Sequence, residues 1–115
     1  MTYSQTTYPR ETNIRTIHIR GIAVSISDQR GALLIIGKPE YKGKRVTIEG
    51  RGGEVRYGET RTQNFGERMV EGKKRSVAVF PRLVPGTYQT DTYVYSHSYE
   101  RVSIDPEWAA ELDWT

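Results

Sequence analysis

Apolar residues in this chain recur at every second position in short runs, and glycine, proline or a polar cluster cuts each run before a helix could be built. Period two places alternate side chains on opposite faces of a pleated strand, so short strands are the main element open to this sequence. The side-chain inventory agrees. Eight tyrosines outnumber the two phenylalanines and two tryptophans combined, and the helix builders alanine, leucine and methionine are scarce. No segment is long enough to form the helix that usually crosses between parallel strands. The expected class is therefore all-β, an antiparallel two-sheet sandwich of about seven to eight strands. At 115 residues the chain has the size of one domain.

Residues 1–13 lack periodicity and contain Pro9, and they read as a flexible polar arm ahead of a single domain at 14–115. Ile17 and Ile19 share one parity and Ile22, Val24 and Ile26 the other, with Gly21 at the switch. This reads as one long strand with a bulge or kink. After the turn S-D-Q-R-G, the run 32–36 is apolar throughout, as expected of a strand buried on both faces or one crossing a sandwich edge. Gly37-Lys38-Pro39 ends it, Y-K-G-K makes a basic turn, and Val46 and Ile48 mark a half-buried strand. E-G-R-G-G-E is too rich in glycine for anything but loop. Residues 55–68 read as an exposed edge hairpin guarded by charge, and E-G-K-K-R as a solvated turn.

Val77 and Val79 alternate with Ala78 and Phe80 in a central strand, L-V-P-G-T turns the chain, and 88–95 resumes the alternation. Tyr88, Thr90, Thr92 and Val94 fall on one face of it, and Tyr93 and Tyr95 on the other. Val102 and Ile104 form a further strand. Trp108, Ala110, Leu112 and Trp114 keep period two to the end as a closing strand that places both tryptophans in the core. A short helix over 106–112, with Pro106 at its first turn, is the competing expectation. Ile22, Val24, Ile26, Leu34, Val46, Ile48, Val79, Phe80, Leu83, Tyr88, Val102 and Leu112 are expected to share one core.

The segment F-P-R-L-V-P-G-T-Y at 80–88 resembles the F-x-x-L-x-P-G-x-Y element of prealbumin-like sandwiches, among them carboxypeptidase regulatory-like and collagen-adhesin B-type modules. The resemblance implies that Phe80 and Leu83 plug the end of the core, that Pro85-Gly86 makes a type II turn, and that Tyr88 returns into a sheet. A first strand at 22–26, G-K-R-V-T-I-E at 43–49 and A-E-L-D-W near the end follow the same order, so the likeness spans about residues 20–114. The isopeptide bond of the collagen-adhesin modules does not carry over, because 14–26 contains no lysine for it. Such sandwiches serve many unrelated roles, so the likeness speaks to fold alone.

Catalytic chemistry finds little support. His18 lies among isoleucines and His97 in Y-S-H-S-Y, without the clustered ligands a metal site needs. Asp91, Ser96, His97 and Ser98 are close in sequence, but a strand would send their side chains to opposite faces. The glycines of E-G-R-G-G-E and V-R-Y-G-E-T match no phosphate-cradling or dinucleotide pattern, and no acidic run has calcium-loop spacing. No catalytic residue, cofactor or metal ligand is assigned. Without cysteine there is no disulfide or thiolate site, and with no signal-like or membrane-spanning apolar run the chain reads as cytoplasmic, although a trimmed export signal would leave the same sequence.

Two surfaces could bind. Tyr93, Tyr95 and Tyr99 around His97 offer stiff amphipathic contact area beside serines, as protein interfaces do. Lys38, Lys42, Lys44 and Arg45 in one turn, with Lys73, Lys74 and Arg75 in another, could bind anions if the two turns meet. The net charge of +3, from 17 basic and 14 acidic side chains, permits nucleic acid without demanding it. The leading expectation is a non-catalytic accessory domain that binds a protein partner or itself. The alternative is a nucleic-acid-binding β-barrel using the basic turns and the tyrosines. A carbohydrate module would need Trp108 or Trp114 as a sugar platform.

Overall fold

A computed structural model describes residues 10–50, 59–92, 94 and 97–115. It is built from strands: β1 (Arg15–Ile19), β2 (Ile22–Ile26), β3 (Gly31–Gly37), β4 (Arg45–Gly50), β5 (Thr60–Asn64), β6 (Gly66–Val70), β7 (Lys73–Leu83), β8 (Gly86–Thr92), β9 (Arg101–Ile104) and β10 (Ala109–Trp114), with one 3₁₀ turn at Pro39–Tyr41. Sheet I has the order β10-β3-β7-β6 and sheet II the order β5-β4-β8-β9, while β1 and β2 pair only with each other. The all-β sandwich is as expected from the sequence, with ten strands among the described residues rather than seven or eight.

The parity switch at Gly21 is a hairpin, not a kink. Arg20 and Gly21 take φ of +51° and +85°, both left-handed, as a two-residue type I′ turn requires. Across such a turn the partners have opposite parity, so Ile17 faces Val24 and Ile19 faces Ile22 on one side of the ribbon. Glu71 and Gly72, at +50° and +79°, repeat the device between β6 and β7.

That ribbon covers the outer face of sheet I and makes a third layer. Ile22, Val24 and Ile26 pack on Ala32, Leu34, Ile36, Val70 and Val77, with Val79 partly buried against them. The opposite face of sheet I meets sheet II through Leu33, Ile35, Val46, Ile48, Phe80, Leu83 and Tyr88, with Val102 and Leu112 partly buried beside them. The expected single core is therefore two cores back to back, and β3, buried at every residue, is the strand they share. A strand with apolar neighbours on both faces must read as a continuous apolar run, as 32–36 does.

Three further details differ from the sequence reading. Residues 60–64 and 66–70 do not form a hairpin: β5 lies at the edge of sheet II and β6 at the edge of sheet I. Phe65, 2% exposed, is the crossover between them, a buried anchor in an otherwise polar stretch; residues 55–58 lie outside the described set. Second, β10 runs parallel to β3, the one parallel ladder among the described strands. The chain leaves β9 where β3 begins, and the Ala32 N–H donates to the Trp108 carbonyl at 2.9 Å, so β10 starts beside the start of β3 and runs with it. Third, Trp114 is buried at 2% exposure but Trp108, which precedes the strand, is 70% exposed. Strand pairing along 109–114 excludes the helix considered over 106–112.

The segment 80–88 joins the two sheets, since β7 belongs to sheet I and β8 to sheet II. Gly86 has φ +150°, a region open to glycine but wider than the roughly +80° of a type II turn. Gly31 pairs with Leu83 but Leu33 with Phe80, so β7 carries an extra residue in a bulge, with Arg82 at φ +47° and Pro81 where a strand tolerates proline. Arg61 caps the bulge, donating to the carbonyls of Pro81 (3.0 Å) and Arg82 (3.4 Å).

Of the polar arm, residues 1–9 lie outside the described set. Residues 12–13 lie against the β2–β3 turn. The Asp28 N–H donates to the Thr12 carbonyl, and the Asp28 carboxylate accepts from the Asn13 amide (2.6 Å) and the Arg15 guanidinium (2.8 Å). The Asn13 hydrogen bond foremost, then that of Arg15, holds the Asp28 carboxyl below its ordinary range. A depressed folded-state value stabilises the fold above the ordinary carboxylate range and is lost as pH falls through the folded value. Asp28→Asn is accordingly expected to lower the urea midpoint at neutral pH. The gap to the parent should close on acidification, and a gap that stays constant with pH would contradict this assignment.

Candidate functional site

The tyrosine group lies on the β9 side of sheet II, and the first basic turn lies where β3 ends and β4 begins. Of the tyrosine group, Tyr93 and Tyr95 lie outside the described residues. Tyr99 is 69% exposed, yet its backbone is pinned: φ is +65° and its N–H donates to the Thr90 carbonyl at 2.7 Å. His97 does not join it as a surface ring. Its imidazole stacks on Trp114 with centroids 4.6 Å apart and planes 10° from parallel, and Nδ1 lies 3.3 Å from Glu100 Oε1. The other Glu100 oxygen accepts the Trp114 indole N–H at 2.6 Å. His97, Glu100 and Trp114 thus close the edge where β9 and β10 face each other.

The carboxylate beside His97 is Glu100, not Asp91. The Ser98 hydroxyl is spent on the Thr92 carbonyl at 2.9 Å, and Ser96 is outside the described set. His18 projects from the exposed face of the β1–β2 ribbon, opposite Ala23. Among the described residues no group of three or more His, Asp or Glu side chains could hold a metal ion.

The basic turns lie toward the same end of the sandwich without a contact between them among the described residues. Gly37, the last residue of β3, pairs with Ser76, whose hydroxyl donates to the Pro39 carbonyl at 3.1 Å. This sets residues 38–45 beside the root of the β6–β7 ribbon, and Lys73 lies three strand residues beyond, about 10 Å. The two sets differ in how far they are neutralised. Lys74 is 3.7 Å from Glu67, and Glu71 in the same turn pairs with Arg20. Arg75 and Arg20 both bear on Asp113, whose carboxyl is held low first by hydrogen bonds from the Thr115 hydroxyl and N–H and then by these two charges. Lys42, Lys44 and Arg45 are exposed, with no ion-pair partner among the described residues.

Sequence reasoning missed two features. Trp108 was expected in the core because it keeps the parity of Trp114, and nothing in a period-two pattern says where a strand begins. Glu59 and Arg61 lie in a stretch read as solvated edge. Glu59 instead accepts from the Val84 N–H (2.8 Å) and pairs with Arg61 (3.0 Å), and the Tyr88 hydroxyl donates to the Val84 carbonyl (2.6 Å). These side chains gather where β7 of sheet I passes into β8 of sheet II, which assigns them to architecture.

No helix among the described residues is long and apolar enough to cross a membrane. No protein-family model matches the chain, and no curated protein and no solved structure matches it.

Proposed function

We propose that this chain is a non-catalytic accessory domain, a small subunit of a larger assembly, that docks on another protein through the flank of sheet II formed by β9. The observation that carries this reading is the pair Tyr99 and Trp108. These large aromatics stand 69% and 70% exposed beyond the two ends of edge strand β9, on backbone fixed by hydrogen bonds to Thr90 and Ala32. Rings held out from a rigid backbone lose little entropy on binding and supply the anchors that dominate protein interfaces. The module itself is taken as prealbumin-like, on the support of the segment 80–88, in which Phe80, Leu83 and Tyr88 are buried.

Nucleic acid is the weaker reading. The basic side chains are interrupted by carboxylates: Lys74 is 3.7 Å from Glu67, and Asp91 is exposed on the strand beside β4. The test is to recover the protein from its native cell, identify what co-purifies, and measure that partner's affinity for Tyr99→Ala and Trp108→Ala. At least one should lose about 2 kcal/mol or more, with thermal stability unchanged. Retained affinity in both variants, or affinity that collapses with salt, would reject the proposal.

A further inference from the structure

We infer a second site, independent of the docking surface, on the outer face of sheet II at its basic end: a shallow site for a polyol monophosphate. The two faces of the sandwich differ. Sheet I is covered by the β1–β2 ribbon, whereas no described strand covers the outer face of sheet II. On that face Lys44, Arg45 and Asn64 line a depression of about 350 Å³. Arg45 also lines a neighbouring one of about 250 Å³ with Thr47, Thr92 and Asp91. Register fixes the arrangement: Arg45 is paired across the ladder with Asn64, and Thr47 with Thr62 on one side and Asp91 on the other.

The chemistry of this strip is graded along β4. At one end are an ammonium, a guanidinium fork and a side-chain amide, none engaged with a described side chain, which together suit one anionic group with several oxygens. One step on, the Thr47 and Thr62 hydroxyls share a hydrogen bond of 2.9 Å. Beside them Asp91 is exposed and acceptor-only. A second phosphate placed there would meet a like charge, which disfavours a polynucleotide running along the strand. Hydroxyl groups placed there would donate to the carboxylate. One anion followed by neutral hydroxyls describes a phosphorylated polyol, either free or as a lipid headgroup.

The probe is inositol 1-phosphate, titrated into the full chain and followed by amide resonances. Saturable shifts are expected at the Asn64 side-chain amide and at the backbone of Arg45, Thr47 and Asp91. Arg45→Gln should weaken binding about tenfold or more, as loss of a charged hydrogen-bond partner does. Asp91→Asn separates a built site from a merely positive patch. It should weaken inositol 1-phosphate while leaving methyl phosphate unchanged or slightly tighter, because it replaces a charged hydroxyl acceptor by a weaker neutral one and removes a repelling charge. Co-sedimentation with phosphatidylinositol vesicles would assign the source to a lipid, and binding of the free phosphate alone to a soluble metabolite. Three results would each overturn the site: equal shifts with uncharged inositol, unsaturable shifts spread over Lys38, Lys42 and Lys73, or tighter binding of a short oligothymidylate.

Discussion

Phe80→Ala is expected to destabilise the fold by about 3–5 kcal/mol, measured by urea unfolding, because it empties the centre of the core between the sheets. Phe80 is fully buried, pairs with Leu33 across β3 and β7, and shares its cluster with Ile48, Leu83 and Tyr88. A domain of this size has a total stability of roughly 5–15 kcal/mol, so the variant should sit at the margin of folding at room temperature. The two-core architecture adds a sharper expectation. Val24→Ala, in the outer core, should raise amide exchange mainly in β1 and β2, which pair only with each other and can lift away locally. Phe80→Ala should raise exchange everywhere, since both halves of the sandwich depend on it. Equal, global exchange in the two variants would mean that the ribbon and the sandwich form one cooperative unit and that the division into two cores is only geometric.

The parts of the architecture that were legible in sequence are those where a local pattern has one physical meaning. The apolar run at 32–36 needs apolar surroundings on both faces, and β3 has them. Val77 to Phe80 reads as a central strand and lies between β3 and β6. The Gly21 parity switch was visible but ambiguous, because a bulge and a two-residue turn shift parity alike. Only the positive φ at Arg20, a residue not expected there, decides for the turn. Sheet membership was not legible. Phe65 is a lone apolar residue between polar strands, and its role as crossover depends on which sheet each neighbour joins. At the candidate sites, the turn residues could be named as basic, but the pairing of Lys74 with Glu67 and the bearing of Arg75 on Asp113 depend on strand register. Trp108 and Trp114 share parity and still differ completely in exposure, since strand β10 begins between them.

Gly31→Ala is expected to be as damaging as a large core truncation, although sequence gives no hint that this glycine matters more than its ten fellows. Its backbone is not left-handed, so conformational freedom is not the issue. A methyl group built there would lie 2.1 Å from the Asp105 carbonyl oxygen, 2.7 Å from that of Trp108 and 2.9 Å from Ile104 Cγ2. Two of these three are backbone atoms of the crossing from β9 to β10, and they cannot swing aside as a side chain tip could. To admit the methyl, the crossing must move outward, which strains the Ala32–Trp108 hydrogen bond and the first rungs of the parallel ladder. The cost should reach or exceed the roughly 3 kcal/mol at the upper end for overpacked interiors. Gly43 and Gly72 provide the contrast: both have positive φ, +83° and +79°, but open space around the added methyl. Alanine there should cost only the left-handed strain, about 1 kcal/mol. Urea midpoints ordered with Gly31→Ala lowest support the close packing of the β9–β10 crossing on β3. If Gly31→Ala were the mildest of the three, the crossing would have to be free to move, and the exposed Trp108 it carries could not be held as a rigid anchor.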